Sequence, residues 1–472
     1  MAVKTFKRGL LLSTKKHATE GKPVEIVPTP KQVVIPVNQQ SAPNISLVAV
    51  GDKVKRGTKI ADAAAPGPMS VPVHSSVTGT VRRIEPRAQS NNTDGLCIVI
   101  ETQPDAPEEL DYMPPLDPFT CTKEEALNRI RDAGIVGMGG AGFPAHVKLN
   151  TPPNKPIDLI IANGSECEPY LTTDEAAMYD KPQLLIKGIA IVMKIAGVSR
   201  AVIGIEDNKT ELVPILEREI KAGEYPGTIE IALCKTKYPQ GGEKMLIKAL
   251  TDKEVPSGGL PMDVQCIVQN VATLIAIAEA FTLGKPCIDR DLTVSGGACL
   301  TPKNIRVPIG TLITDLPQEF MNIDYAKLRK VLFGGPMMGT AVPTPAIPIQ
   351  KNTSGIILMT AEETVADSEG PCIRCARCVK NCSCFLSPVI INNALESGDM
   401  EEAVRAGLLD CVECGSCSYI CPARIKLVQR FRIGKQRLRA MQIAEQAAQK
   451  AREAAAQAKA AANAPASAPA NT

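Results

Sequence analysis

Nine of the sixteen cysteines in this 472-residue chain lie between positions 372 and 421. Eight of them form two runs with the spacing C-x2-C-x2-C-x3-C, which begin at Cys372 and Cys411. Thiolates repeated at this interval are typical of a loop that wraps around a metal centre. The start of the chain does not resemble a signal peptide, so disulfides are not expected. The C-terminal part of the chain is therefore predicted to fold around metal.

The spacing of both runs resembles that of bacterial ferredoxins that carry two [4Fe-4S] clusters. In that pattern three cysteines of a run bind one cluster and the fourth binds the other. The predicted ligands of the first cluster are Cys372, Cys375, Cys378 and Cys421. The predicted ligands of the second cluster are Cys411, Cys414, Cys417 and Cys382. Two alternatives stay open: zinc in place of clusters, and Cys384 in place of Cys382, since Ser383 stands where proline is expected.

Composition limits the remaining function classes. The chain is 44% hydrophobic and 22% charged, which is typical of globular proteins, and its formal net charge is only +3. Such a small charge gives no support to a nucleic-acid-binding function. The most apolar long stretch, Cys266 to Gly284, contains Gln269, Asn270 and Glu279. We therefore predict a buried helix there and no membrane span.

The chain is predicted to be a multidomain protein of α/β and β modules. Short alternating strands near the start, a GDKVKRG turn and an HSSVTGTV hairpin resemble the barrel-sandwich fold of lipoyl carriers, without the carrier lysine. A helix from Thr122 to Gly134 then opens a series of alternating strands and helices, which predicts a parallel sheet covered on both faces. The predicted domains are a barrel-sandwich module (1–120), an α/β domain (121–285), a β-grasp (SLBB) domain (286–345), a ferredoxin-like α domain (355–440) and a disordered Ala-rich tail (441–472).

A glycine-rich loop, GIVGMGGAGFP, spans Gly134 to Pro144. Closely spaced glycines let backbone N–H groups approach a phosphate, although a tight loop without a ligand has the same composition. The loop follows a helix and precedes a strand. This is the reverse of the dinucleotide-binding fingerprint, which follows a strand and opens a helix. A different phosphate-binding arrangement is predicted.

The loop resembles the flavin- and NADH-binding loop of the NADH-binding flavoprotein subunit of respiratory complex I. NGSECEP, YPQGGEK and QNVATL follow it in the order in which that family has its acidic, G-E-E and N-N-V-E-T-L segments. Together with GIEDNK, EVPSGGLP, GGPMMG and the cysteine runs, these segments resemble one family more closely, the C subunit (RnfC) of Rnf-type ion-translocating electron transport complexes. The resemblance covers residues 5–435.

The resemblance implies non-covalently bound FMN, with NADH as substrate. The residues implied for the FMN site are Gly137, Gly139, Gly140, Lys148, Asn163, Glu166, Gly242, Glu243, Asn270 and Thr273. Phe143 and Glu168 are implied to contact NADH. Two positions depart from the complex I pattern, Ser165 for an aspartate and Lys244 for a glutamate, and Lys244 is a hypothetical contact of the flavin or of a nucleotide phosphate.

The family implies an electron-input subunit that takes a hydride from NADH onto FMN and delivers single electrons through two clusters to partner subunits. Its expected partners are membrane and peripheral subunits, including a ferredoxin-like iron–sulfur subunit, at the cytoplasmic face of the membrane. A basic strip from Arg424 to Arg439 could face anionic lipid or an acidic partner. The alternatives are a soluble cobalamin reductase and an electron-carrying structural subunit with a vestigial nucleotide pocket.

Overall fold

The computed structural model of the chain divides into two compact units, Met1–Asp367 and Ser368–Thr472, which we call the N-terminal and C-terminal units. No helix in the described part of the chain is long and apolar enough to cross a membrane. The described residues are 2–39, 43–65, 67–103, 109–223, 225–364 and 368–462, with side chains up to residue 457.

A module of two small sheets follows one short strand, β1 (Val24–Ile26), near the start of the N-terminal unit. One sheet has the strand order β2-β8-β7-β4 and the other β3-β5-β6. Val33, Ile60 and Ile98, from both sheets, pack in one core, as expected of a barrel sandwich. The seven strands are β2 (Gln32–Pro36), β3 (Ile45–Ser46), β4 (Lys53–Val54), β5 (Lys59–Asp62), β6 (Val73–His74), β7 (Gly79–Ala88) and β8 (Asp94–Thr102).

A parallel sheet with the order β11-β10-β9-β12 forms the next module. Alternate residues of β9 enter different cores: Ile160 packs in the larger core and Ile161 in the smaller one. Helices therefore cover both faces, as the sequence predicted. The elements are α1 (Lys123–Asp132), α2 (Ala145–Leu149), β9 (Leu159–Gly164), α3 (Thr173–Asp180), α4 (Pro182–Ala196), β10 (Arg200–Glu206), α5 (Leu212–Gly223), β11 (Thr228–Cys234), α6 (Glu243–Thr251), β12 (Cys266–Asn270) and α7 (Val271–Thr282).

Local signals explain where two of these helices begin. Thr122 and Glu125 form a reciprocal capping box at the start of α1, as its sequence predicted. The expected single helix over Cys266–Gly284 is wrong, because its first five residues form the parallel strand β12. Asn270 ends that strand and caps α7, since its side-chain Oδ1 accepts the N–H of Ala272 at 2.9 Å.

A six-stranded sheet completes the N-terminal unit, with the order β1-β14-β13-β17-β15-β16. Strand β1 pairs in parallel with β14, and β17 lies between β13 and β15. The predicted boundaries at residues 345 and 355 are therefore corrected, because the fully buried run 355–359 belongs to this sheet. Its other strands are β13 (Asp289–Ser295), β14 (Lys303–Pro308), β15 (Lys330–Phe333), β16 (Thr340–Val342) and β17 (Gly355–Met359).

The N-terminal residues 2–22, which we call the N-terminal arm, run beside the parallel sheet. Lys4 forms a parallel bridge with Cys234, and Leu10 forms an antiparallel bridge with Tyr238. Farther along the arm, the carbonyl of Thr14 accepts the N–H of Tyr170 at 2.8 Å. The arm thus contacts the end of β11 and the segments that follow β11 and β9.

The C-terminal unit repeats its conformation after 39 residues, the distance from Cys372 to Cys411. The left-handed residues Arg374, Ala376 and Phe385 recur as Glu413, Gly415 and Arg424. The short helices α8 and α11 begin 39 residues apart, and so do the longer helices α9 and α12. Helix α10 lies between the two repeats and has no counterpart in the second. The helices are α8 (Arg377–Lys380), α9 (Pro388–Ser397), α10 (Met400–Arg405), α11 (Ser416–Tyr419) and α12 (Leu427–Ala462).

Helix α12 continues into the Ala-rich tail. The predicted disorder from residue 441 is therefore wrong as far as Ala462, where alanine, glutamine and lysine, all strong helix formers, dominate the sequence. Side chains 441–457 are exposed throughout. Residues 463–472 lie outside the described residues.

Candidate functional site

A cavity of about 620 Å³ opens in the N-terminal unit where its three modules meet. The glycine-rich loop forms one wall, and strands β9 and β12 point their C-terminal ends at the cavity. Residues Ser90 and Asn91 of the barrel-sandwich module and the loop 334–339 of the six-stranded sheet complete the lining. The volume lies within the range of small-molecule and cofactor sites.

Neighbouring elements hold the glycine-rich loop from behind. The Met138 N–H donates to Thr273 Oγ1 at 2.9 Å, and Arg290 Nη2 donates to the Met138 carbonyl at 2.8 Å. Asn352 Nδ2 donates to the Gly140 carbonyl at 2.8 Å. A Cβ atom added at Gly139 would lie only 3.2 Å from the Cβ of Asn270, so the loop packs closely against the end of β12. The loop is thus fixed with its backbone against the cavity.

The acidic turn after β9 is tied to the turn before α6. Asn163 Nδ2 donates to the Gly241 carbonyl at 2.8 Å, and Asn163 Oδ1 accepts the N–H of Ser165 at 3.1 Å. A Cβ at Gly241 would lie 2.0 Å from the Ser165 carbonyl, so only glycine fits there. Asn163 therefore acts within the protein as the link between two cavity walls.

Glu166 is buried beside the cavity between two lysines. Lys209 Nζ lies 3.3 Å from Glu166 Oε2, and Lys16 Nζ lies 3.9 Å from the same oxygen and donates to the Glu166 carbonyl. The Asp174 N–H donates to Glu166 Oε1 at 3.0 Å. Burial alone would raise the pKa of Glu166, but the two ammonium groups hold that pKa below its usual value. Glu166 is thus an ionised anchor of the turn.

Glu168 connects the acidic turn to the loop 334–339. The N–H groups of Met337 and Met338 donate to its carboxylate at 3.0 and 2.8 Å, and Tyr238 lies at 3.5 Å. Burial raises the pKa of Glu168 to about 7, although these donors favour the ionised form. A Cβ at Gly335 would lie 2.2 Å from the carboxylate, so the loop approaches Glu168 through a glycine.

Asp174, a second cavity carboxyl, has a similar pKa. Asn270 Nδ2 donates to Asp174 Oδ2 at 2.7 Å. Burial and the nearby Glu166 carboxylate raise the pKa of Asp174 to about 7, against the opposing effect of Arg290. Glu168 and Asp174 are therefore the two cavity carboxyls that change protonation near neutral pH.

Gln269, at the end of β12, lines the cavity wall and has a buried side-chain amide. Its side chain is 3% exposed, and Nε2 has no hydrogen-bond partner in the described part of the chain. An unpaired buried amide costs free energy unless a ligand acceptor meets it. A flavin ring, which carries carbonyl and nitrogen acceptors along one edge, fits this donor and the glycine-lined wall.

Phe143, near the end of the glycine-rich loop, and Lys148, which follows it on α2, also line the cavity. Lys148 Nζ forms an ion pair with Glu243 at the start of α6. Phe143 is 44% exposed, so an aromatic face is open at the cavity mouth. The two residues offer one cation and one stacking surface on the same side of the site.

Eleven of the thirteen predicted cofactor-binding residues line this cavity. Thr273 lies behind the glycine-rich loop, and Lys244 is absent from the lining. Sequence reasoning missed Asp174 and Asn352, which no motif singled out, and it gave no role to Gln269, although the QNVATL segment begins there. The GGPMMG segment was noted as a family feature without a role, although its glycines signal a close backbone approach. The eleven lining residues are Gly137, Gly139, Gly140, Phe143, Lys148, Asn163, Glu166, Glu168, Gly242, Glu243 and Asn270.

In the C-terminal unit, the second predicted set of cysteines surrounds a small cavity. Cys382, Cys411, Cys414 and Cys417 line it together with Cys384. Burial and the neighbouring thiols of Cys411, Cys414 and Cys382 raise the pKa of Cys417. The cavity brings together the second predicted ligand set from both runs.

In the first predicted set, Cys378 lies near Cys375 of its own run and near Cys421 of the second run. Burial raises the pKa of Cys378, and the thiols of Cys421 and Cys375 add to this effect. Within the described residues no three cysteine, histidine or acidic side chains converge on a point that would suit a single metal ion.

The basic strip after Arg424 is engaged in part within the C-terminal unit. Arg430 pairs with Glu369 and Glu396, and Lys435 Nζ lies 2.9 Å from Glu413. Arg432 Nε also pairs with Glu413, at 3.2 Å. Three of the seven cations of the strip therefore stabilise the fold, which weakens the suggestion that the whole strip faces lipid or a partner.

Comparison with known families agrees with this architecture. Residues 4–105 match the RnfC barrel sandwich hybrid domain, and residues 130–279 match the Nuo51 FMN-binding domain. The second match contains the glycine-rich loop, the acidic turn and the Gln269–Asn270 segment.

Curated relatives match over nearly the full chain. The C subunit of the proton-translocating ferredoxin:NAD(+) oxidoreductase complex of Clostridium ljungdahlii is 42% identical, over 93% of this chain and 95% of its own length. The C subunit of the Na(+)-translocating complex of Acetobacterium woodii is 37% identical, over 93% and 98%. The C subunit of the ion-translocating oxidoreductase complex of Rhodobacter capsulatus is 36% identical, over 93% and 84%. The chain therefore belongs to the RnfC family, the C subunits of ion-translocating ferredoxin:NAD(+) oxidoreductase complexes.

Proposed function

We propose that this chain is the NADH-oxidising subunit of a membrane-associated ferredoxin:NAD(+) oxidoreductase complex, with FMN and two [4Fe-4S] clusters as its resident cofactors. The observation that carries the proposal is the cavity where the glycine-rich loop, the acidic turn and the unpaired Gln269 amide meet. These three features lie within the segment that matches an FMN-binding domain. Flavins exchange a hydride for single electrons, and cubane clusters carry single electrons.

The flavin would lie against the wall formed by Gly137, Gly139 and Gly140, whose backbone is held by Asn352, Arg290 and Thr273. Gln269 would donate to its ring edge. Lys148 would exchange its Glu243 partner for the phosphate. Because Lys244 does not line the cavity, we assign it no part in cofactor binding.

NADH would enter at the exposed Phe143 and stack on its ring. Glu168 would accept hydrogen bonds from the ribose or the nicotinamide amide. The loop 334–339 holds the Glu168 carboxylate in place through two backbone donors. The loop thus orients the acceptor before the nucleotide arrives.

The two clusters would be held crosswise, and the shared cavity of Cys382 with Cys411, Cys414 and Cys417 supports this pairing. Cys384 lines the same cavity, so Cys382 and Cys384 are both candidates for the fourth ligand of the second cluster. Iron content decides between them. We expect Cys384→Ala to retain eight iron atoms per chain and Cys382→Ala to lose one cluster's signal in electron paramagnetic resonance. The reverse result would assign Cys384 as the ligand.

A test of the whole proposal uses the purified chain. It should contain about one FMN, and the flavin band should bleach when NADH is added without oxygen. Gln269→Leu should lose FMN, whereas Lys244→Met, a change outside the cavity, should keep it. A full cluster spectrum without flavin would instead support an electron-carrying structural subunit.

Partner subunits would supply the membrane spans. The relatives are named as subunits of ion-translocating complexes, and these names favour a complex subunit over a soluble cobalamin reductase. We place the chain at the cytoplasmic face of the membrane, as a peripheral subunit beside an iron–sulfur partner. Co-purification with membrane subunits would support this placement. Cobalamin reduction by the isolated chain would contradict it.

A further inference from the structure

The two cysteine runs of the C-terminal unit share a backbone conformation but differ in charge. The repeat places Arg374, Arg377 and Lys380 of the first run at the positions of Glu413, Ser416 and Tyr419 in the second. The first run thus carries three cations where the second carries one anion. Since the backbone is the same, metal ligation alone does not require these cations.

The runs also differ in exposure. Cys372 and Cys375 of the first run are exposed, whereas Cys411 and Cys414 are half-buried and Cys417 is buried. Phe431 of α12 lines the cavity of the second set and is fully buried there. The first run is therefore the part of the C-terminal unit where a redox partner can approach a cluster most closely.

Charges near the second run are compensated, and those of the first run are not. Glu413 pairs with Arg432 and Lys435. Among the described residues, Arg374, Arg377 and Lys380 are all exposed and take part in no ion pair. Because both runs would hold the same kind of anionic cluster, these three cations make the surface of the first run more positive than that of the second.

An exposed apolar residue lies within this group of cations. Ile373, between Cys372 and Arg374, is 66% exposed. An apolar centre with a charged rim is typical of protein–protein contact surfaces. A single isoleucine is too small an anchor for insertion into lipid, which takes a larger apolar face.

We propose that Ile373, Arg374, Arg377 and Lys380, which we call the first-run face, form the docking surface for an acidic iron–sulfur protein that exchanges electrons with the first cluster. The proposal rests on the proposed function for the presence of that cluster. Complementary charge would orient the partner with its own redox centre toward Cys372 and Cys375, and would speed association at low ionic strength.

The test uses the full-length holoprotein with an acidic two-cluster ferredoxin as the probe. Photoreduced ferredoxin is mixed with the oxidised chain, and the electron-transfer rate is measured by stopped flow at about 0.02 and about 0.5 M salt. Binding of oxidised ferredoxin is measured in parallel. We expect the association rate to fall at least about tenfold with added salt.

The triple variant Arg374→Gln, Arg377→Gln, Lys380→Gln should lose that salt dependence and weaken binding about tenfold. The matched control Arg437→Gln, Arg439→Gln, Lys450→Gln removes three exposed cations of α12 and should behave as the wild type. Equal rates and affinities in both variants would overturn the proposal. Both should retain the cluster spectra of the wild type.

Two further outcomes are decisive. If the first variant loses only its binding to vesicles of phosphatidylglycerol, and ferredoxin transfer is unchanged, the surface binds lipid and the proposal is wrong. The ferredoxin measurement needs neither NADH nor FMN. A failure of NADH to bleach the flavin would therefore reject the proposed function and leave the docking result standing.

Discussion

Glu168 is buried, accepts hydrogen bonds from the loop 334–339, and is the residue proposed to contact NADH. Its pKa is raised to about 7, mainly by burial. Only the ionised carboxylate accepts hydrogen bonds with both oxygens. Since about ten-elevenths of the groups are ionised at pH 8 and about one-eleventh at pH 6, NAD(+) affinity should fall about tenfold over this interval. Titration calorimetry across this range checks the prediction.

Two variants separate Glu168 from other titrating groups in that experiment. Glu168→Gln should bind weakly at every pH, with a flat profile. Glu217→Gln, on the exposed side of α5, should keep the wild-type slope. A slope that persists in Glu168→Gln would assign the titration to Asp174 instead, which has a similar pKa.

Lys16 connects the N-terminal arm to Glu166 of the acidic turn. Its side chain is 2% exposed, and it contacts the Glu166 carbonyl and carboxylate. Lys16→Met should destabilise the N-terminal unit by about 3 kcal/mol, because one cation of a buried network is removed. Lys15→Met, at the neighbouring exposed position, should change little. Urea unfolding of both variants, monitored by the release of FMN, checks this prediction. Equal midpoints for Lys16→Met and Lys15→Met would contradict the stabilising role of Lys16.

At the scale of elements, strands and helices with local signals could be predicted from the sequence. The predicted helix from Thr122 to Gly134 is α1, and the predicted alternation of strands and helices after it forms the parallel sheet β11-β10-β9-β12. The stretch from Cys266 to Gly284 was assigned wrongly because a buried parallel strand and a buried helix are both continuously apolar. Only the pairing of β12 with β9 separates them.

Long-range pairing explains most of what the sequence could not predict. Strands β1 and β17 join one sheet from opposite ends of the N-terminal unit. In the site, the resemblance identified the glycine-rich loop and the acidic turn. Gln269 and Asn352 gain their roles only from neighbours more than a hundred residues away. No local pattern contains that information.

Helix α12 combines a packed segment with an exposed one, so its two parts should respond differently to truncation. Phe431 and Lys435 contact the fold around the second cysteine run, whereas side chains 441–457 are exposed. A chain that ends at residue 444 should keep its iron content and melting temperature. A chain that ends at residue 429 loses Phe431 and should lose the second cluster. The iron content of the two truncated chains checks this prediction. An equal loss of iron in both would contradict the division of α12 into a packed and an exposed part.

At the scale of the whole molecule, the two units differ in how much apolar core supports them. The N-terminal unit contains several large buried clusters, while the cluster of the C-terminal unit has eight buried residues, including Cys417. Metal ligation commonly supplies folding free energy to segments with so small a core. The C-terminal unit should therefore depend on its iron, whereas the N-terminal unit should not.

Removing the clusters tests this difference directly. After oxidative iron removal with a chelator, hydrogen exchange should rise sharply across residues 368–440 and change little across the flavin cavity. The FMN content should stay near one per chain, because the glycine-rich loop, Gln269 and Glu166 are held by contacts within the N-terminal unit. Reconstitution with iron and sulfide should restore the protection. Protection at 368–440 that survives complete iron loss would show that the eight-residue core suffices by itself.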